Sequence, residues 1–126
     1  MKCIDSNIII DIAKRRLSPM LVFSDTTTEY AVSVITTIEC LGFSFPDDTE
    51  RDAVLFIFRG TIEQPITTAI RNKAIELRSK QRINLGDAII AATALERCGG
   101  VLLTRNIDDF KNIQGIVVIN PYTTQP

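Results

Sequence analysis

Five polar residues sit where they could share one chemistry. Asp5 follows the apolar opening Met1-Lys2-Cys3-Ile4. Glu39 lies inside the apolar run Val34-Ile35-Thr36-Thr37-Ile38-Glu39-Cys40-Leu41. Asp87 opens the segment Gly86-Asp87-Ala88-Ile89-Ile90-Ala91-Ala92-Thr93-Ala94, and Asn106 and Asp109 follow Val101-Leu102-Leu103. Converging oxygens of this kind suit a hard divalent cation such as Mg²⁺, which takes carboxylate and water ligands. The chain has no histidine, so imidazole acid–base chemistry, Ser-His-Asp triads and His-ligated zinc are excluded. Cys3, Cys40 and Cys98 lie far apart, form no CxxC pair and have apolar neighbours. They read as reduced, buried thiols rather than nucleophiles, because no histidine base is at hand.

Taken singly, most of these residues have a plainer explanation. Asp, Ser and Asn all cap helices well, so Asp5-Ser6-Asn7 and Asp87 could simply start them. Asn106 could be a turn residue, and Asp109 could cap a helix or neutralise Arg105. Glu39 resists such an account. It falls at best on the margin of an apolar face, where an unpaired carboxylate is costly.

The elements that must position these residues alternate between strand and helix. Strands are expected over 1–5, 29–32, 61–66, 101–104 and 116–119, the third irregular because of Pro65. Helices are expected over 6–14, 34–44 behind the cap Ser33, 50–59 ending at Gly60, and from Thr67 or Thr68 to about Arg82. A further helix begins at Asp87 and ends at Gly99-Gly100. The tail 121–126 reads as frayed. This pattern predicts an α/β fold: one domain over 1–126, with a mainly parallel sheet of four or five strands and helices on both faces. In such folds ligands bind beyond the C-terminal strand ends, so residues about 100 apart in sequence are expected to converge.

Composition agrees with one soluble domain: 45% of the 126 residues are hydrophobic and 23% charged. No apolar stretch approaches the roughly 18–20 residues needed to span a bilayer. Asp5, Asp11 and Lys14-Arg15-Arg16 interrupt the N-terminal stretch, so it does not read as a signal peptide, and the expected location is the cytoplasm. The net charge of −1 hides an uneven spread. Residues 25–63 hold eight acidic and two basic side chains, net −6, while residues 64–126 hold eight basic and five acidic, net +3. Arg71, Arg78, Arg82 and Arg105 are candidates to contact phosphates, although a solvated helix face also accounts for the basic cluster 71–82.

Four segments in order, Asp5-Ser6-Asn7, Ser33–Glu39, Gly86–Ala94 and Leu103-Thr104-Arg105-Asn106-Ile107-Asp108-Asp109-Phe110, closely resemble the PIN-domain ribonucleases. Within them the likeness is to the toxin subunits of VapBC toxin–antitoxin pairs. It covers nearly the whole chain, and residues 42–82 match mainly in element order. The resemblance implies a PIN fold in which Asp5, Glu39 and Asp87 bind metal. It leaves the fourth site position open between neutral Asn106 and charged Asp109. It gives Ser33 and Thr104 the role of holding carboxylates in place. The activity implied is Mg²⁺-dependent hydrolysis of RNA, with Mn²⁺ able to substitute, leaving a 5′-phosphate and a 3′-hydroxyl. The partners implied are an RNA substrate, a cognate antitoxin protein that blocks the groove, and a second copy in a homodimer. The run Val54–Phe58 is apolar all round, so one side of it is expected to be an interface.

Other acidic-pocket folds match less well. A haloacid-dehalogenase phosphatase needs a second Asp two residues after its nucleophile, and Asn7 stands there. A response-regulator receiver needs a late Lys at a strand end, whereas Lys111 follows the turn at Phe110. A non-catalytic PIN-fold binding module is the remaining alternative, and the intact set Asp5, Glu39 and Asp87 speaks against it.

Overall fold

Short apolar runs, several rich in β-branched residues, supply the strands. The computed structural model describes residues 1–42 and 44–123. Its strands are β1 (Lys2–Ile4), β2 (Tyr30–Ser33), β3 (Ile62–Gln64), β4 (Val101–Leu103) and β5 (Val117–Ile119). All pair in parallel, in the order β3-β2-β1-β4-β5. The helices are α1 (Ser6–Ala13), α2 (Met20–Phe23), α3 (Val34–Leu41), α4 (Asp48–Arg59), α5 (Thr68–Lys80), α6 (Leu85–Arg97) and α7 (Ile107–Phe110).

Register decides which residues meet. Cys3 lies opposite both Ala31 and Leu102, and Ile4 lies opposite Leu103. Side chains alternate along a strand. Cys3, Ala31 and Leu102 therefore pack on one face with Ile70 and Ala74 of α5 and Ala88 and Ala91 of α6. Ile4, Val32 and Leu103 pack on the other with Ile8 and Ile9 of α1, Cys40 of α3 and Val54 of α4. A parallel sheet buried on both faces follows, as expected. All three cysteines are free and buried. Among the described residues no helix is long and apolar enough to cross a membrane.

Local chemistry sets most boundaries. Asp5, Ser33, Asp47 and Thr67 accept backbone N–H bonds as N-caps of α1, α3, α4 and α5, and Gly60 ends α4. Helix α3 stops at Leu41, three residues short of the expected end, and Phe43 lies outside the described residues. Strand β3 is shorter than expected and sits at the sheet edge, with Pro65 just past its end. Gly100 is required where α6 returns to β4. Its φ is +84°, and a Cβ there would lie 2.0 Å from the Gly115 carbonyl oxygen.

Two short helices, α2 and α7, fall where no helix was expected. The tail reading also needs correction. Residues Pro121–Thr123 form a 3₁₀ turn, Pro121 is buried, and the Tyr122 hydroxyl donates to Asp11 Oδ2. That anchor, not visible in a short polar tail, holds the chain against α1. Residues 124–126 lie outside the described residues.

Candidate active site

The C-terminal ends of β1 and β4 lie side by side, which brings Asp5 to Thr104. Asp5 is only 4% exposed. Its Oδ1 accepts the Ser6 N–H at 2.7 Å. Its Oδ2 accepts the Thr104 hydroxyl at 2.8 Å and Asn7 Nδ2 at 3.1 Å. Asn7 also donates to Thr104 Oγ1 at 3.3 Å and accepts the Arg105 N–H at 3.1 Å. Asn106 donates its N–H to Thr104 Oγ1 at 3.0 Å. One threonine hydroxyl therefore holds both the buried carboxylate and the backbone of the loop after β4.

Glu39 reaches the same place from α3. Ser6 Oγ donates to Glu39 Oε1 at 2.7 Å and lies 3.3 Å from Thr36 Oγ1. Glu39 is exposed, which corrects its placement at an apolar margin. The buried side of α3 carries Thr36 and Cys40, and Ile38 beside Glu39 is exposed too. The desolvation argument for Glu39 thus falls, and its case rests on position. Ser33 performs the capping task expected of it, while the carboxylate-holding role implied for it falls to another residue. Ser33 is fully buried and caps α3 through the Ile35 N–H. The hydroxyl that holds Glu39 belongs to Ser6.

Asp87 does not begin its helix, as expected, but lies in the first turn of α6. The N-cap is Asn84, whose Oδ1 accepts the Asp87 N–H at 2.8 Å while its Nδ2 donates to Asp87 Oδ2 at 3.0 Å. Asn is a preferred N-cap, and its place three residues before Asp87 was the signal available in the sequence.

One cavity of about 420 Å³ is lined by Asp5, Ser6, Asn7, Ile10, Glu39, Asp87 and Asn106. A second, about 260 Å³, shares Asp87 and is bordered by Arg82, Asn84, Asp108 and Asp109 among others. Asn106 thus joins the three carboxylates in one cavity, and Asp109 approaches Asp87 from the adjoining one. Of the four candidate arginines, Arg82 borders the second cavity and Arg105 pairs with Asp11 at 2.8 Å. Arg71 donates to the Asn72 side chain and Arg78 to the Ile83 carbonyl, and neither lines these two cavities.

The electrostatics show a shared acidic field. The Asp5 carboxyl is pushed up to about 6, chiefly by burial and also by the Asp87 and Glu39 charges, with the Thr104 hydroxyl and Ser6 N–H opposing. Asp87 is raised by burial first, then by Asp109 and Glu39, with Asn84 opposing. Among the described residues no three acidic side chains form a ready cage for an ion. The donors around the cavity, three carboxylates and one amide, are all oxygen ligands of the kind Mg²⁺ takes while keeping several waters. The mutual repulsion at Asp5 is what a nearby cation would relieve.

A parallel α/β sheet with an acidic pocket beyond its strand ends defines a class of fold and site. The family is settled by comparison: a PIN-domain family model matches residues 2–116, so the chain belongs to the PIN-domain family. No curated protein matches significantly. Among solved structures, a toxin–antitoxin complex from Klebsiella pneumoniae contains a chain that is 30% identical, with a TM-score of 0.74, over 97% of this chain and 98% of that one. DNA-bound VapBC from Salmonella typhimurium is similar in fold at 20% identity and a TM-score of 0.81, over 96% and 99%. VapBC-1 from nontypeable Haemophilus influenzae is similar at 20% identity and a TM-score of 0.76, over 96% and 98%.

Proposed function

We propose that this protein is a VapC-type toxin, a Mg²⁺-dependent endoribonuclease of the cytoplasm restrained by a cognate antitoxin. The observation that carries the reading is the single cavity lined by Asp5, Glu39, Asp87 and Asn106 in a PIN-domain chain. Asp5, Glu39 and Asp87 would hold the cation, and Mn²⁺ would substitute. When bound, the ion supplies positive charge against a phosphoryl oxygen and acidifies water beside it, which a site without histidine needs. The chain's own residues do the positioning. Thr104 and Asn7 fix Asp5, Ser6 holds Glu39, and Asn84 holds Asp87. The Asn106 amide, neutral and at the cavity wall, can donate to a phosphate oxygen without adding repulsion. Asp109 would act on the same site only through its charge on Asp87.

The antitoxin reading has its own surface. An apolar groove of about 700 Å³ is lined by Ile12, Phe23, Tyr30, Ala53, Phe56 and Ile57 with Asp25 at its edge. Phe56 is 74% exposed, whereas Val54 and Ile57 of the same run are buried. Asp25 puts one negative charge on an otherwise apolar and neutral lining, so the groove suits the apolar face of an amphipathic segment with a basic residue beside it. Homodimerisation is part of the same proposal, and size measurement of the isolated chain tests it.

Purified protein with Mg²⁺ is set against total cellular RNA, beside an Asp87→Asn variant. Cleavage by the native chain is expected, with loss in the variant and in chelator. Cleavage indifferent to both would sink the metal mechanism. Silence from both proteins, with no Mg²⁺ bound, would favour a PIN-fold binding module.

A further inference from the structure

A second carboxylate, outside the acidic cavity, is tied to it through the loop after β4. Asp11 lies on α1 and is 2% exposed. Its Oδ2 accepts Arg105 Nη1 at 2.8 Å and the Tyr122 hydroxyl, and Arg16 Nη1 stands 3.9 Å from Oδ1. A buried carboxylate is costly unless paired and hydrogen-bonded. Here the pairing reaches directly into the site, because Arg105 sits between Thr104 and Asn106. The Arg105 N–H is already held by Asn7 Oδ1, and Asn7 in turn donates to Thr104 and Asp5. Asn7 and Asp11 are four residues apart and share one face of α1. That face therefore grips residue 105 twice, once by its backbone and once by its guanidinium.

We propose that Asp11 is a positioning residue of this site: with Tyr122 it holds Arg105, and through it sets Thr104 and Asn106 against Asp5. The catalytic consequence rests on the ribonuclease reading, whereas the effect on loop order does not. Arg105 has one competing role, direct contact with a substrate phosphate, since its side chain is half-exposed. The two roles give opposite signs for Asp11→Asn. If Arg105 is held in order to place the loop, the variant loosens residues 104–106, and kcat falls about 10- to 100-fold with KM little changed, as for other outer partners of a site. If Arg105 serves the phosphate, weakening its hold on Asp11 frees positive charge for RNA, so KM falls and kcat is kept.

The experiment compares Asp11→Asn, Arg105→Ala, Arg105→Lys and the double variant Asp11→Asn with Arg105→Ala in the full chain. Both kcat and KM are measured with Mg²⁺, and amide hydrogen exchange is followed residue by residue. The positioning role predicts that the double variant is no worse than either single one, because both remove one shared contact. It predicts partial rescue by Arg105→Lys, which keeps the charge. It also predicts faster exchange at the Arg105 and Asn106 amides while α5 and α6 keep their protection. Additive losses, a lowered KM in Asp11→Asn, or protection lost evenly across the sheet would overturn it. Exchange needs no RNA. An inactive native chain would therefore refute the ribonuclease reading, and the exchange pattern would still decide the role of Asp11.

Discussion

Replacing Asp5 by Asn should change stability in opposite directions at acid and neutral pH. Asp5 is almost fully buried, and its carboxyl is pushed from 3.8 to about 6, mainly by burial. The folded state therefore holds this proton more tightly than the unfolded chain. Between those two values the folded state binds more protons, so stability falls as pH rises through the window. The benefit of the protonated group is fully present below 3.8 and is gone above about 6. At ~1.36 kcal/mol per pH unit, the gap from 3.8 to about 6 leaves ionised Asp5 destabilising by ~3 kcal/mol at neutral pH. Asn keeps the size and removes the charge. Its amide nitrogen would face the donors Asn7 Nδ2 and Thr104 O–H, a mismatch of ~1–2 kcal/mol. In chelator at pH 7.5 the variant should thus be more stable than the native chain by ~1–2 kcal/mol, and at pH 4 less stable by a similar amount. Urea unfolding at both pH values reads this directly, provided the slopes agree. Adding Mg²⁺ at about ten times its Kd should then restore ~1.4 kcal/mol to the native chain at pH 7.5 and little to the variant. A variant that is less stable by the same margin at both pH values would refute the claim that ionised Asp5 carries a cost.

Thr104→Val removes the donor to Asp5 Oδ2 and the acceptor for the Asn106 N–H. Calorimetric Mg²⁺ titrations across pH should show the midpoint of binding moved upward, and cleavage should fall about 10- to 100-fold. Phe56→Glu should leave stability within about 0.5 kcal/mol, because the ring is exposed, while weakening capture of a basic amphipathic helix by the groove in a pull-down with the cognate antitoxin. Gly100→Ala should lower stability by more than ~2 kcal/mol in urea unfolding, since both the positive φ and the close Gly115 carbonyl oppose a Cβ.

The fold was legible where periodicity and capping chemistry act locally. Ser33, Thr67 and Gly60 sit at helix ends for reasons a sequence states outright. The family resemblance gave Thr104 the role of holding a carboxylate, and its hydroxyl donates to Asp5 just past the end of β4. What stayed hidden depends on three-dimensional neighbours. Nothing in Tyr122 announces that it reaches Asp11, 111 residues away, and nothing in Arg105 says it pairs with α1 rather than with Asp109. Glu39 departs from its expected place for a related reason. A run of apolar residues in a short helix does not reveal which side meets the sheet, and Ile38 faces out with it. Asn84 caps α6 where Asp87, itself a good capping residue, was expected to.

The site divides into a buried part and an open part, and the sheet explains the division. Asp5 terminates a central strand, with β2 and β4 on either side, so its carboxylate emerges in the crowded seam between α1 and the loop after β4. It cannot move without disturbing Thr104 and Asn7. Glu39, Asp87 and Asn106 come from helix turns and a loop that are not walled in, and each is held by a single neighbouring polar group or by its backbone. A cation that keeps its waters needs such an arrangement. If the proposed cation binds here, the fixed carboxylate of Asp5 would set where the charge sits, and Glu39 and Asp87, less tightly held, would adjust to it. The cost of ionising Asp5 belongs to this design. A carboxylate anchored rigidly enough to define a position is also desolvated enough to resist being charged alone, and under the proposed function that is the charge a bound cation would offset.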